Sequence, residues 1–252
     1  MKTNKGINIF FQKILFVFFI ISTIYALYTL LTEKKEQKET QNLLNTIVVD
    51  TKETENKRIA QVKQLKEQYP NVVGWIEIEG TNISYPVMQG EDNDYYMNHN
   101  YKGEKVKTGS IFLDKDYDWS IPSSNLLMYG HNKKSDTTMF SDLLKYKDED
   151  FYKKYSTIRF TTPEEDSEYE IISAFLSRVY YKNELDVFRY YYFINAENQD
   201  EFNNFVSNAK RASLYDTGKT AQYGEQLITL STCEYSQKDG RFAVVARKIV
   251  NQ

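Results

Sequence analysis

The chain predicts a mostly β domain, a barrel or sandwich with helices added, placed behind an N-terminal apolar segment. Three observations carry this. Short β-type runs recur with turn signals between them. Clear helical periodicity outside the N-terminus is confined to a few stretches. Residues 14–31 contain no charged side chain. The composition is that of a folded protein, 41% hydrophobic and 15% aromatic, with only 4 prolines and 10 glycines in 252 residues. A net charge of -3 supplies no electrostatic reason to expect a nucleic-acid partner. The 21 tyrosines suit half-exposed β faces, but a codon-biased genome would enrich them equally.

The eighteen residues 14–31 make roughly 27 Å of helix, close to the hydrocarbon thickness of a bilayer. Lys2, Lys5 and Lys13 precede them, so the positive-inside rule places the N-terminus in the cytoplasm and the rest of the chain outside. A cleaved signal peptide is the competing reading. The run is long for one, and no clean small-x-small cleavage site follows. Residues 1–31 are therefore expected to be a tail and signal anchor in the cell membrane, 32–57 a polar, partly helical stalk, and 58–252 an extracellular domain.

Within that domain Ile59, Val62 and Leu65 fall on one helical face that Pro70 terminates. Strands are expected in 72–80, 82–89, 108–114 and 124–130. Met139, Phe140, Leu143 and Leu144 mark a helix face. Further strands are expected over 156–162, 167–181 and 186–195, then a helix over 197–213 with Phe202, Phe205, Val206 and Ala209 inward. Residues 224–233 and 241–250 close the chain as two strands.

The second-last strand ends in the single cysteine, Cys233, within TLSTC. One exported cysteine cannot form an intrachain disulfide, so it is incidental or reactive. A thiol attacks carbonyls as the thiolate and needs a base or cation beside it. Of the two histidines, His131 follows an apolar strand and Gly130, whereas His99 sits in a polar, tyrosine-rich stretch that reads as loop. Arg241 opens the strand after a Lys-Asp-Gly turn, so antiparallel pairing would bring it near Cys233. A guanidinium is a poor base but can hold a carbonyl or an oxyanion. The backbone N–H of Glu234 is a second expected donor. Each residue has a bland alternative: a buried small hydrophobe, a structural histidine, a solvated charge. Their joint occurrence in an exported chain favours chemistry. Two histidines and one cysteine lack zinc-like spacing, no glycine-rich phosphate loop is present, and no cofactor is expected.

The TLSTC strand followed by an arginine, the Gly-His pair about a hundred residues upstream and the N-terminal anchor resemble the sortases, cysteine transpeptidases of Gram-positive surfaces. The helical segment at 40–69 and the helix-bearing insertion before TLSTC resemble class B. The resemblance implies an eight-stranded barrel, with Cys233 as nucleophile, His131 as acid and base, Arg241 as the oxyanion donor, and Ser231, Thr232 and the Glu234 N–H against substrate. It also implies cleavage of a C-terminal sorting signal after threonine and transfer to a peptidoglycan cross-bridge amine or its lipid-linked precursor. Some class B members carry an acid two positions after the cysteine; here Tyr235 stands there. Two other functions fit the same residues: a cysteine peptidase that uses water, and a membrane-tethered binding module whose thiol is inert. Whether the tyrosine-rich 179–193 stretch shapes a groove or is sheet surface stays open on sequence alone.

Overall fold

The structure, a computed structural model, describes residues 4–45, 54–121, 123–132 and 138–250. The chain divides into two compact units, Met1–Val48 and Val49–Gln252. In the first, Asn4–Asn45 is one helix, α1. Its stretch Phe11–Thr32 is long and apolar enough to cross a membrane by length and composition, and its large hydrophobic side chains are exposed. The expected stalk at 32–57 is helical as far as Asn45, and residues 46–53 lie outside the described part.

The second unit opens with helix α2, Glu55–Gln68, which starts three residues earlier than expected. Val62 and Leu65 face the domain, joined by Arg58, whose Nε donates to Asp166 Oδ2 at 3.0 Å. Charge pairing lets a residue unsuited to burial occupy an inward position. Eight strands follow: β1 Val72–Glu77, β2 Ser84–Met88, β3 Ile111–Leu113, β4 Asn125–Tyr129, β5 Thr157–Thr161, β6 Asp166–Arg178, β7 Leu227–Cys233 and β8 Gly240–Lys248. They close into a barrel in the order β1-β2-β3-β4-β7-β8-β6-β5. The β2–β3 and β4–β7 pairs are parallel and the others antiparallel. Closure removes the unpaired edges that an open sheet of this size would leave.

Two expected elements differ. The helix face expected from Met139 onward is a 3₁₀ stretch, Ser141–Lys147, followed by the short helix α3, Glu149–Lys154, capped by the Asp148 side chain. The strand expected over 186–195 is not a strand. Only the 3₁₀ turn Tyr190–Tyr192 is regular there, and Asp186 takes a positive φ of 56°. Its carbonyls go elsewhere: Phe193 O accepts from Asn125 Nδ2 at 2.7 Å and Ile194 O from Asn125 N at 2.9 Å. The aromatic run that mimics a strand is used for packing, and β propensity largely measures packing on a half-buried surface rather than backbone preference.

Helix α4, Gln199–Ala212, is capped by Asn198, whose side chain accepts from Glu201 N at 3.0 Å. Its expected face, Phe202, Phe205, Val206 and Ala209, is buried. These side chains join Tyr190, Ile172, Phe175, Leu227 and Val245 in one cluster on the outside of the barrel. The β6–β7 connection is thereby packed down as a solid wall beside the end of β7.

Candidate active site

The β7–β8 hairpin places Cys233 directly opposite Arg241. On the other side of β7, β4 runs parallel, with Tyr129 beside Ser231. Parallel strands deliver their C-terminal ends to the same rim, and an antiparallel neighbour begins there. Residues just after β4, at the end of β7 and at the start of β8 therefore meet by topology. Those residues are His131, Cys233 and Arg241.

Four hydrogen bonds hold the segment after β4 against the end of β7. Gly130 N donates to Ser231 O at 3.1 Å, and Thr232 Oγ1 donates to Gly130 O at 2.7 Å. Asn132 Nδ2 donates to Cys233 O at 2.8 Å, and the Tyr235 hydroxyl donates to Asn132 O. A Cβ on Gly130 would lie 2.6 Å from the ring of buried Phe140, so close approach requires glycine there. The imidazole is fixed from a third direction, because His131 Nε2–H donates to the Met97 carbonyl at 2.7 Å. A carbonyl only accepts, so this contact assigns the proton to Nε2 and leaves Nδ1 as the position open to proton exchange.

Cys233, His131 and Arg241 line one pocket of about 260 Å³, with Asn93, Met97 and Tyr129 at its wall. Cys233 is a free thiol and is partly exposed. Arg241 Nη1 donates to Gly240 O at 2.9 Å, which ties one edge of the guanidinium to its own turn and leaves its remaining N–H groups for a ligand. Two phenols in the wall stay protonated. Burial, reinforced by the Asp114 carboxylate, pushes Tyr129 far up, and it donates to Asp114 Oδ2 at 2.9 Å. Burial also raises Tyr190, whose hydroxyl is 2.7 Å from Ser231 Oγ.

The remaining expected site residues stand differently. Ser231 and Thr232 line the pocket, but both are 2% exposed and their hydroxyls are already engaged, by Tyr190 and Gly130. They form floor rather than free donors. The Glu234 N–H expected to meet a substrate oxygen donates instead to Gly240 O at 3.0 Å, because it closes the β7–β8 turn. Its buried carboxylate pairs with Lys147 at 2.7 Å and accepts from Ser236 N at 2.8 Å. Burial is the largest influence on that carboxyl and works to raise it. The Lys147 and Ser236 hydrogen bonds and the Lys147 charge outweigh it and hold the group at about 2. His99 stands apart from the pocket, stacked on Tyr95 with centroids 4.0 Å apart.

Sequence reasoning missed Met97, Asn132 and Tyr235 as holders of the site. An asparagine directly after the histidine was the one local signal; a backbone carbonyl 34 residues away leaves none. The tyrosine-rich stretch does shape the pocket, since Val179, Tyr190 and Tyr191 line it.

A sortase-domain family model matches residues 76–249. The chain is 34% identical over 194 residues to sortase B of Listeria monocytogenes, covering 75% of this chain and 74% of that protein. It is 31% identical over 201 residues to sortase B of Staphylococcus aureus, covering 79% and 78%. Among solved structures, a mutant form of Clostridium perfringens sortase B superposes with a TM-score of 0.72 at 28% identity, over 83% of this chain and 96% of that one. A Staphylococcus aureus sortase B–substrate complex gives 0.67 at 28% identity, over 88% and 96%. With an eight-stranded barrel of the same kind, the chain belongs to the sortase family, in its class B, and is a sortase-type cysteine transpeptidase.

Proposed function

We propose that Cys233 is the nucleophile, His131 the acid and base, and Arg241 the oxyanion donor of a transpeptidase that acts on sorting signals of exported proteins. The observation that carries this is the convergence of the three side chains, from three separate strand ends, on one pocket. The Cys233 thiol gives its proton to His131 Nδ1, and Sγ attacks the carbonyl carbon of the signal's threonine. The C–S bond forms, and Arg241 N–H groups receive the developing negative oxygen. The C–N bond then breaks as His131 gives its Nδ1 proton to the leaving amine. An amine of the wall cross-bridge, or of its precursor, attacks the thioester. The new C–N bond forms, the C–S bond breaks as the thiolate leaves, and Nδ1 takes up the amine proton and returns it to the sulfur. With the Glu234 amide engaged to Gly240, the guanidinium carries the oxyanion role.

In this reading α1 is a signal anchor, the N-terminus is cytoplasmic, and the catalytic domain of 58–252 works outside the cell. Two solved relatives support the two substrates: a Staphylococcus aureus sortase B–substrate complex and a sortase B complexed with triglycine. Anchoring would keep the enzyme where emerging substrate and lipid-linked acceptor both lie, raising their effective concentration.

The test is to trap the thioester by mass spectrometry with a sorting-peptide library. Cys233→Ala is expected to abolish the adduct. His131→Ala and Arg241→Ala should slow its formation about 100-fold or more, while His99→Ala should leave it near wild type. An inactive His99 variant beside an active His131 variant would reverse the histidine assignment. Product analysis with and without a glycine-type amine separates transfer from hydrolysis.

A further inference from the structure

A second cavity, about 600 Å³, lies between the 186–195 segment and helix α4. Its size falls within the roughly 300–1,000 Å³ usual for small-molecule sites. The helix contributes Glu201, Asn204, Phe205 and Asn208, spaced three, four and seven residues apart and so sharing one face. The facing segment contributes Arg189, Tyr192 and Asn195.

The chemistry of this lining is selective. It is too polar for an apolar ligand. It does not suit an anion either: Asp186 and Glu201 outnumber Arg189, whose Nη2 already donates to Tyr181 O and Glu184 O at 2.7 Å each. What remains is an exposed aromatic ring beside planar amides. Tyr192 is 71% exposed, and its ring is braced edge-on against Tyr191 with centroids 4.9 Å apart. Asn195 Oδ1 accepts from Ser124 N and Oγ at 3.1 and 3.0 Å, which leaves its NH₂ as the available donor. Asn208 Nδ2 donates to Asn204 O and Oδ1 at 2.9 and 3.0 Å and is itself spent, which fixes the Asn204 amide and leaves the Asn204 NH₂ as a second available donor. An apolar ring face with fixed amides and a carboxylate around it matches a sugar, which offers an apolar face and a rim of hydroxyls. The Asn195 and Asn204 donors and the Glu201 carboxylate also match an acetamido substituent, which both donates and accepts.

We infer that this second cavity binds an N-acetylated amino-sugar oligosaccharide, with a sugar face on Tyr192 and its hydroxyls and acetamide held by Asn195, Asn204 and Glu201. The inference rests on the proposed function, because a wall acceptor carries such sugars close to its amine. One wall separates the two sites. Tyr190 and Tyr191 face the catalytic pocket, while Arg189 and Tyr192 of the same turn face the second cavity. A glycan there would sit behind the nucleophile's pocket wall and keep its attached amine nearby.

The experiment is saturation-transfer NMR on the full chain, in a detergent without sugar headgroups, with an N-acetylglucosamine tetramer and with maltotetraose as the control. Transfer to the acetamide methyl and ring protons of the tetramer, and little to maltotetraose, is expected. Tyr192→Ala and Asn204→Leu, both at exposed positions, should each weaken apparent affinity by about fivefold or more, with thermal unfolding unchanged. Equal transfer to both sugars, or transfer insensitive to both variants, overturns the site. Competition by a soluble disaccharide-peptide assigns the ligand to wall polymer. Competition by the lipid-linked disaccharide alone assigns it to the precursor, and competition by neither overturns the inference. Thioester formation by the same unaltered preparation reports on the proposed function separately. A preparation that forms the thioester but shows no transfer overturns the glycan site alone.

Discussion

Glu234 lies directly after Cys233, and its charge is worth a measurable amount of folding free energy. The Lys147 and Ser236 contacts hold its carboxyl at about 2 against an ordinary 4.5. At 1.36 kcal/mol per tenfold, that depression is equivalent to about 3.4 kcal/mol. The Glu234 side chain is 7% exposed, but Lys147 keeps 36% of its side chain in water. Solvent screening at that end leaves about half, ~1.5 kcal/mol. The folded-state value lies below the unfolded one, so this stability is fully present above about pH 4.5 and lost as pH falls toward about 2. Glu234→Gln keeps the shape and the Ser236 hydrogen bonds but removes the charge. Thermal unfolding at pH 7 should then drop by about 3–6 °C for a domain of this size. Urea titrations should show the wild-type advantage cut to roughly 60% at about pH 3.5. An advantage that is unchanged between these pH values, or absent at pH 7, would refute the reasoning.

Two further perturbations probe the rim and its support. Gly130→Ala sets a methyl against the buried Phe140 ring and should cost about 1–3 kcal/mol by overpacking. Because the ring or His131 must move, thioester formation should fall further than the stability loss explains; stopped-flow acylation alongside urea melts checks this, and wild-type acylation would contradict the close approach. Asn125→Ala removes the buried amide that donates to Phe193 O and accepts from Thr229 Oγ1 at 2.8 Å. Buried Thr229 Oγ1 and the half-buried Phe193 O both lose partners, so a cost of about 2–4 kcal/mol is expected from urea midpoints with an unchanged slope, and a loss below about 1 kcal/mol would show that water replaces the amide.

Local signals made much of this legible. The Asp-Gly turn between two apolar runs foretells the β7–β8 hairpin, and with it the Cys233–Arg241 pairing. The α4 face follows from 3.6-residue spacing. The parallel β4–β7 pairing is not legible from periodicity, because its partners lie about a hundred residues apart and both strands are buried along nearly their whole length, which leaves no inward–outward alternation to read. That pairing is what carries His131 to the rim; the apolar run and Gly130 place the histidine at a strand end, but not beside Cys233. The 186–195 segment misled because aromatic density signals burial without saying whether the backbone pairs. The Glu234 donor misled for a related reason: a residue after a nucleophile offers an amide only if the turn does not consume it, and here the turn does.

The way the three rim residues are held bears on how the site can be altered. His131 and Cys233 are positioned through their neighbours' hydrogen bonds: Thr232 and Asn132 across the strand ends, and the Met97 carbonyl on the imidazole. None of these bonds uses the thiol, and the His131 backbone contact to Phe140 N does not use the imidazole. Side-chain removal at Cys233 should therefore leave the rim standing, and chemistry and architecture can be varied separately. The opposite wall is tied to the core differently. Tyr190 joins the buried α4 cluster and reaches Ser231, two residues before Cys233. Any displacement of the Tyr190–Tyr192 turn must therefore either break a buried hydrogen bond or move the β7 floor. That requirement makes this turn, rather than the exposed loops, the place where binding outside the pocket can be felt at Cys233.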